Sequence, residues 1–214
     1  MIPVFPLSKV LFPGLLLPLH IFEERYKLMI KFCLDTGSGF GVFLIEDGME
    51  ALGVLAKPYT IGTLARILSV EKLEDGKMNL LCVGEERQMI LSLDDSLPYL
   101  RAQMRDFPRS ETSLPDGSSI EKLRKTVDLY FRLLSEKTGK SFVTGNLPEN
   151  DMLYIHFMAD FIPVPSPVKQ KLLEMNSLSE MSRELEILYR RQYDILGAVS
   201  EKKGPPDEYG YSLN

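Results

Sequence analysis

Ile2 to Met29 reads IPVFPLSKVLFPGLLLPLHIFEERYKLM, an apolar stretch punctuated by Pro3, Pro6, Pro13 and Pro18. Proline fixes φ and removes a backbone donor, so these four residues cannot all occupy an interior strand. Within it, Val10 to Phe22 (VLFPGLLLPLHIF) is apolar enough to resemble the core of a secretory leader. It lacks the leader's other marks: Lys9 is the only nearby positive charge before it, Pro13 and Pro18 interrupt any helix, and no small-x-small site follows before Glu23. The period then changes. Phe22, Tyr26, Met29, Ile30 and Cys33 recur at helical spacing, and Gly37 stands where a left-handed residue would close the helix. The stretch predicts apolar chain, part of it packing a β core and part facing a groove, that feeds one helix.

Downstream as far as Asp106 the texture is of β type, with Gly, Pro and Asp-Gly punctuation between short runs of β-branched and aromatic residues. Phe40 to Glu46, Gly62 to Glu71, Met78 to Gly84, Gln88 to Leu93 and Tyr99 to Arg105 are predicted strands. Asp75-Gly76 supplies the positive φ of a tight hairpin between the second and third of these.

After Pro108 the polar, turn-rich segment RSETSLPDG (109–117) predicts a boundary, followed by helices. Ser118 and Glu121 form a capping-box pattern, as do Ser177 and Glu180. The first helix carries Ile120, Leu123, Val127, Tyr130 and Leu134 and ends near Gly139. Pro148 would open a second helix that Pro163 stops, and Ser166-Pro167 a short third one to about Glu174. The fourth carries a seam of Leu178, Met181, Leu185, Leu188, Gln192, Ile195 and Val199, which suits packing within a bundle better than a coiled-coil dimer. The expected organisation is a β domain over 1–108, a helical bundle over 118–200, and a disordered tail over 201–214.

Charge and chemistry narrow the function. The chain of 214 residues carries 30 acidic and 25 basic residues, a net charge of -5, and the halves before and after residue 108 carry -3 and -2. No polybasic arm marks a nucleic-acid or membrane partner. No segment approaches the roughly 20 apolar residues of a membrane span. The two cysteines, Cys33 and Cys82, form no CxxC pair, and with only two histidines no disulfide framework, zinc site or other metal site is implied. The sequence contains no GxxxxGK[ST] string and no GxSxG elbow. Gly37-Ser38-Gly39-Phe40-Gly41 fails the dinucleotide fingerprint, because Val42 stands where the third glycine belongs and a strand follows. His20 and His156 read as packed or capping histidines. A hydrolase built around His156, Asp160 or Cys33 is the weakest reading.

The string from Ile2 to Met29 strongly resembles the opening of the Lon substrate-binding domain, the N-terminal domain of the ATP-dependent Lon protease. GVFLI (41–45), PYTIGTLARI (58–67), the region around Asp75-Gly76, GEER (84–87) and Pro98-Tyr99-Leu100 resemble that family's later signatures in the right order. Glu24 replaces a proline common in the family, and suits the start of a helix equally well. The resemblance implies an α+β fold: a PUA-like β-barrel with one inserted helix, followed by a C-terminal α-helical bundle. It implies recognition rather than hydrolysis, since the family's ATPase and Ser-Lys peptidase lie in later domains, so the expectation is a stand-alone, non-enzymatic, cytoplasmic protein without a cofactor. Its expected partners are unfolded or extended segments of client proteins, contacted by Phe12, Leu16, Phe22, Tyr26 and Tyr59 with Glu23, Arg25 and Arg66 as polar guides. The alternative is an adaptor that docks a specific protein, or a copy of itself, through the helical region.

Overall fold

The computed structural model describes residues 1–48, 56–74, 76–109, 117–140 and 147–201. Seven strands form one mixed sheet: β1 (Ile2–Leu7), β2 (Leu16–Ile21), β3 (Phe40–Asp47), β4 (Lys57–Pro58), β5 (Ile61–Lys72), β6 (Met78–Asp94) and β7 (Arg101–Asp106). Five helices accompany it: α1 (Glu24–Thr36), α2 (Gly117–Thr138), α3 (Asp151–Phe161), α4 (Ser166–Glu174) and α5 (Leu178–Glu201). Neighbours along the sheet run β1, β7, β6, β5, β3, β4, and β1 also pairs in parallel with β3. Five strands thus close a circuit of neighbours, and β2 lies outside it, bonded to β6.

The prolines of β1 fit because its pairing changes sides. Ile2 and Pro3 pair with β7, and Val4 to Leu7 pair with β3. The Val4 N–H donates to Leu100 O at 2.8 Å, on the β7 side. Alternation along the strand then directs even-numbered N–H groups toward β7 and odd-numbered ones toward β3. Pro6 therefore lacks its donor beyond the last β7 pair, and Pro3 lacks its own before the first β3 pair. Neither proline costs a ladder bond.

β6 is one strand of 17 residues where the sequence predicted two. The GEER stretch does not turn. Thr63 opposes Arg87 while Ala65 opposes Gly84, so β6 accommodates an extra residue as a bulge and the ladder resumes. Gly84 is required there, because a Cβ would lie 2.7 Å from Phe12 O. Gly76 has the positive φ expected of the β5–β6 turn, at 74°, whereas Asp75 lies outside the described residues.

Helix ends follow their caps with three corrections. α1 is closed by Gly37 at φ 65°, but Phe22 precedes the helix and does not belong to its buried face. α2 already includes Gly117, which places Ser118 inside the first turn. α3 starts three residues after Pro148, with Asn150 as cap accepting from the Leu153 N–H at 3.0 Å. α4 matches its predicted bounds, and the Ser177 hydroxyl accepts from the Glu180 N–H at 3.3 Å at the head of α5. The α5 seam holds for Leu178, Met181, Leu185 and Leu188, which are buried. It then drifts, as a 3.6-residue period requires: Tyr189 is buried and Leu196 packs inward, while Ile195 is 57% exposed. The side chain of Val199 and residues 202–214 lie outside the described residues.

The four later helices share one apolar cluster with Val10, Phe12, Leu44 and Ile61 of the sheet region. A second cluster lies between the sheet and α1. The two regions are also joined by hydrogen bonds. Arg87 Nη1 donates to the Leu173 and Met175 carbonyls at 2.7 and 2.9 Å, and Gln170 Nε2 to Ile61 O at 2.9 Å. The Arg87 guanidinium satisfies carbonyls that the end of α4 leaves open and sits in its negative dipole field.

Candidate functional site

Phe12 to Leu15 form a turn of type II. Pro13 supplies the fixed φ of its second position, Gly14 the positive φ (81°) of its third, and the Leu15 N–H closes it on Phe12 O at 3.2 Å. The Gly14 N–H donates to Gly84 O at 2.8 Å, and the Gly84 N–H to Leu15 O at 2.9 Å. Gly14 and Leu15 together thus oppose Gly84, the arrangement of a glycine bulge. That bulge fixes which side of β2 each backbone group faces. Leu15, Leu17, Leu19 and Ile21 face β6, whereas the backbone groups of Leu16, Pro18 and His20 face outward. Proline is tolerated at 18 because its missing donor lies on the outer side.

The helical region holds this turn in place. His156 Nδ1 donates to Pro13 O at 2.9 Å, and its Nε2 accepts from Arg109 Nη2 at 3.1 Å. Phe12 is fully buried and stacks on the imidazole, with ring centroids 6.0 Å apart. Burial, with the positive Arg109 beside the ring, pushes the His156 pKa down to about 4, so the ring is neutral near pH 7.

Among the described residues β2 pairs only with β6, and its outer edge adjoins a groove of about 230 Å³. Phe5 and Leu7 of β1, Leu19 and Ile21 of β2, and Glu23 and Tyr26 at the head of α1 contribute to its walls. Phe22 is 54% exposed at the groove and Leu16 is 57% exposed further along the strand. Tyr26 is buried and meets the Phe5 ring edge-on at 4.3 Å, and the Arg25 guanidinium lies over the Tyr26 ring, 4.5 Å from its centre. Arg25 Nε donates to Glu23 Oε2 at 2.9 Å. The His20 ring stacks near Phe22, and its Nδ1 bonds Asn79 Oδ1 at 2.8 Å, while Asn79 Nδ2 donates to Glu71 at 2.9 Å. That direction makes His20 Nδ1 the protonated nitrogen.

The eight residues singled out from the sequence therefore divide. Phe22, Glu23 and Tyr26 line one groove, Arg25 braces it and Leu16 lies on the same strand. Phe12 presents no surface: it belongs to the helical core and supports the turn from below. Tyr26 is groove floor rather than a freely projecting contact. Tyr59 packs against the helical cluster, away from the groove. Arg66 pairs with Glu85 Oε1 at 2.5 Å beside a different cleft, next to Gly37 and Gly39. Pro18, Leu19 and His20 also line the groove and were not singled out; the alternation in LLPLHI signals Pro18 and His20 once the turn before it is recognised.

The groups considered for catalysis have other partners, and Asp160 Oδ2 pairs with Lys9 Nζ at 3.4 Å. Both His156 nitrogens are bonded and the residue is 2% exposed. Cys33 lies in the other cluster, and burial pushes its thiol up to about 11 and that of Cys82 up to about 12. Among the described residues there is no group of three His, Cys, Asp or Glu able to hold a metal ion, and no helix is long and apolar enough to cross a membrane.

The family profile described as the ATP-dependent protease La (LON) substrate-binding domain matches residues 1–190. The chain belongs to that family. As a LON substrate-binding domain it is 28% identical over 202 residues to a Lon protease of Parabacteroides distasonis, covering 91% of this chain and 24% of that protein. It is 29% identical over 203 residues to Lon protease 2 of Myxococcus xanthus, covering 89% of this chain and 24% of that protein. The chain thus spans about a quarter of the length of these curated relatives. Its fold is that of a Lon N-terminal domain protein from Xanthomonas campestris, with a TM-score of 0.61, 24% identity, and coverage of 86% of this chain and 95% of the other. The N-terminal domain of a Mycobacterium avium complex Lon protease superposes with the same TM-score at 16% identity, covering 88% of this chain and 97% of the other.

Proposed function

We propose that this chain is a non-catalytic polypeptide-binding module that engages unfolded or extended segments of client proteins at the groove beside β2. The observation that carries this reading is the exposure of Leu16 and Phe22 along a strand whose neighbours form an apolar groove. Large apolar side chains held in the open beside a concavity mark binding surfaces. The balance of charge favours protein over nucleic acid, and a cytoplasmic location belongs to the same reading. In it, the circuit of five strands is the PUA-like barrel, the four later helices are its bundle, and the two act as one unit through Phe12, His156 and Arg87.

The test is fluorescence anisotropy of a labelled, permanently unfolded polypeptide titrated with this protein beside its folded counterpart, without ATP. Saturable binding of the unfolded form alone is expected. Absence of binding at high micromolar protein would overturn the reading in favour of docking to one specific folded partner.

A further inference from the structure

The outer edge of β2 offers more than apolar surface. By the alternation that the Gly14 bulge sets, it presents the N–H groups of Leu16 and His20 and the carbonyls of Leu16, Pro18 and His20. An unpaired strand edge is satisfied by another strand, whose side chains then alternate between the two faces of the sheet. On one side of such a strand lies the groove walled by Phe5, Leu19 and Phe22, which takes apolar side chains. Among the described residues lining it, Glu23 alone carries a formal charge, a carboxylate held by Arg25. Arg25 engages Oε2 of that carboxylate, which leaves Oε1 to accept from a Lys or Arg of a bound segment.

Pro18 argues against a second copy as the occupant. Two β2 strands pairing antiparallel about Pro18 would place two residues without donors opposite each other and lose both central bonds. A foreign strand loses only one bond there, whatever its sequence.

We propose that client segments bind as an added β-strand on the outer edge of β2, with alternate apolar side chains in the groove and a Lys or Arg beside Glu23. This rests on the polypeptide-binding reading above and specifies the conformation and chemistry of what is bound.

The probe is a labelled nine-residue peptide of alternating leucine and threonine with arginine at one end, measured by anisotropy against the whole protein. Two N-methylated isomers accompany it, one blocking the N–H groups on one side of the extended peptide and the other those on the opposite side. Only one side of an added strand bonds the edge. One isomer is therefore expected to bind within about threefold of the parent and the other at least tenfold more weakly. His20→Pro and Leu16→Pro, each removing one outward donor at a position equivalent to Pro18, should each weaken the parent peptide several-fold. Glu23→Gln should weaken it while leaving a glutamine-ended peptide unchanged.

Equal binding of both isomers would overturn strand addition while leaving polypeptide binding intact. Strand addition likewise falls if the peptide fails to bind but the unfolded polypeptide binds. If neither binds, both readings fall. A dimer of the free protein that the peptide dissolves would assign the edge to a second copy and overturn the proposal.

Discussion

The half of β6 from Met78 to Val83 lies between two outer strands, β2 on one side and the Arg66 to Lys72 half of β5 on the other. β5 pairs with β3 only from Thr63 to Ala65, so among the described residues its later half, like β2, has an open outer edge. The two edges are defended differently. On β5 the register shifts between Ile67 and Ser69, Arg66 pairs with Glu85 across the strands, and Glu71 and Lys72 end the strand in charge. β2 has one proline for protection and shows Leu16 and Phe22 to solvent. A bulged, charged edge refuses a further strand, whereas a regular apolar edge pinned at one residue admits a short one. Leu68 is exposed on the β5 rim as well, so what separates the two rims is the register shift and the charges rather than apolar exposure alone.

The comparison can be broken most severely through His156, because the turn that sets β2 rests on its neutral ring. Its pKa is depressed from the ordinary 6.5 to about 4, so the unfolded chain binds the proton more tightly. Its contribution is complete above pH 6.5 and is lost as pH falls through the window to 4, by about 3 kcal/mol in all. Urea unfolding at pH 7, 5 and 4 should show this acid loss shrink by that amount in His156→Gln, which is itself less stable at pH 7. An unchanged acid loss in the variant would remove His156 as its source.

Next come the two turn glycines. Gly14→Ala places a Cβ at φ 81° only 2.8 Å from Leu153 Cδ1, whereas at Gly76 (φ 74°) the nearest group is the mobile end of Lys27, 3.7 Å away. We expect losses of about 2 and about 1 kcal/mol respectively in thermal unfolding. Equal losses would mean that the Leu153 side chain moves aside for the added methyl.

A smaller effect on stability separates the edges by function. Phe22→Ser and Leu68→Ser each remove an exposed side chain, and both should shift stability by about 0.5 kcal/mol or less. Only Phe22→Ser should weaken unfolded-polypeptide binding, about tenfold, as expected when one apolar anchor worth roughly 1.4 kcal/mol is lost. Equal weakening by Leu68→Ser would erase the distinction between the edges. The smallest change is Glu85→Gln, which breaks the exposed pair with Arg66 and should cost about 0.5 kcal/mol or less, vanishing in high salt. Differential scanning calorimetry at two salt concentrations checks it.

Much of this was legible where a local rule decides the structure alone. Gly37 closes α1, Ser177 caps α5 and Pro167 opens α4 because each terminus is satisfied by residues adjacent in sequence. Legibility failed where the deciding partner is distant. GEER looks like a turn until Gly84 is seen beneath Phe12 O, and β1 and β2 look unfit for strands until each proline's outward side is known. The candidate site shows the same limit. Phe12 and Leu16 are neighbours in one apolar run, and composition cannot say that α3 buries the first while the bulge turns the second outward. The Pro13-Gly14 dipeptide carries that information, but only as a turn type whose consequence runs down the following strand.

The divided pairing of β1 also bears on biosynthesis. β1 pairs at Ile2 and Pro3 with Ala102 and Arg101, about a hundred residues later in the chain, and Phe12 finds its burial against side chains beyond residue 150. A nascent chain leaving the ribosome thus carries an apolar N-terminal stretch whose native partners are not yet translated. Such distant pairings fold slowly. Val4 to Leu7 and Leu16 to Ile21 await only β3 and β6, but until α3 emerges Phe12 lacks its helical partners, and holdase chaperones would have their greatest opportunity around that turn during that interval.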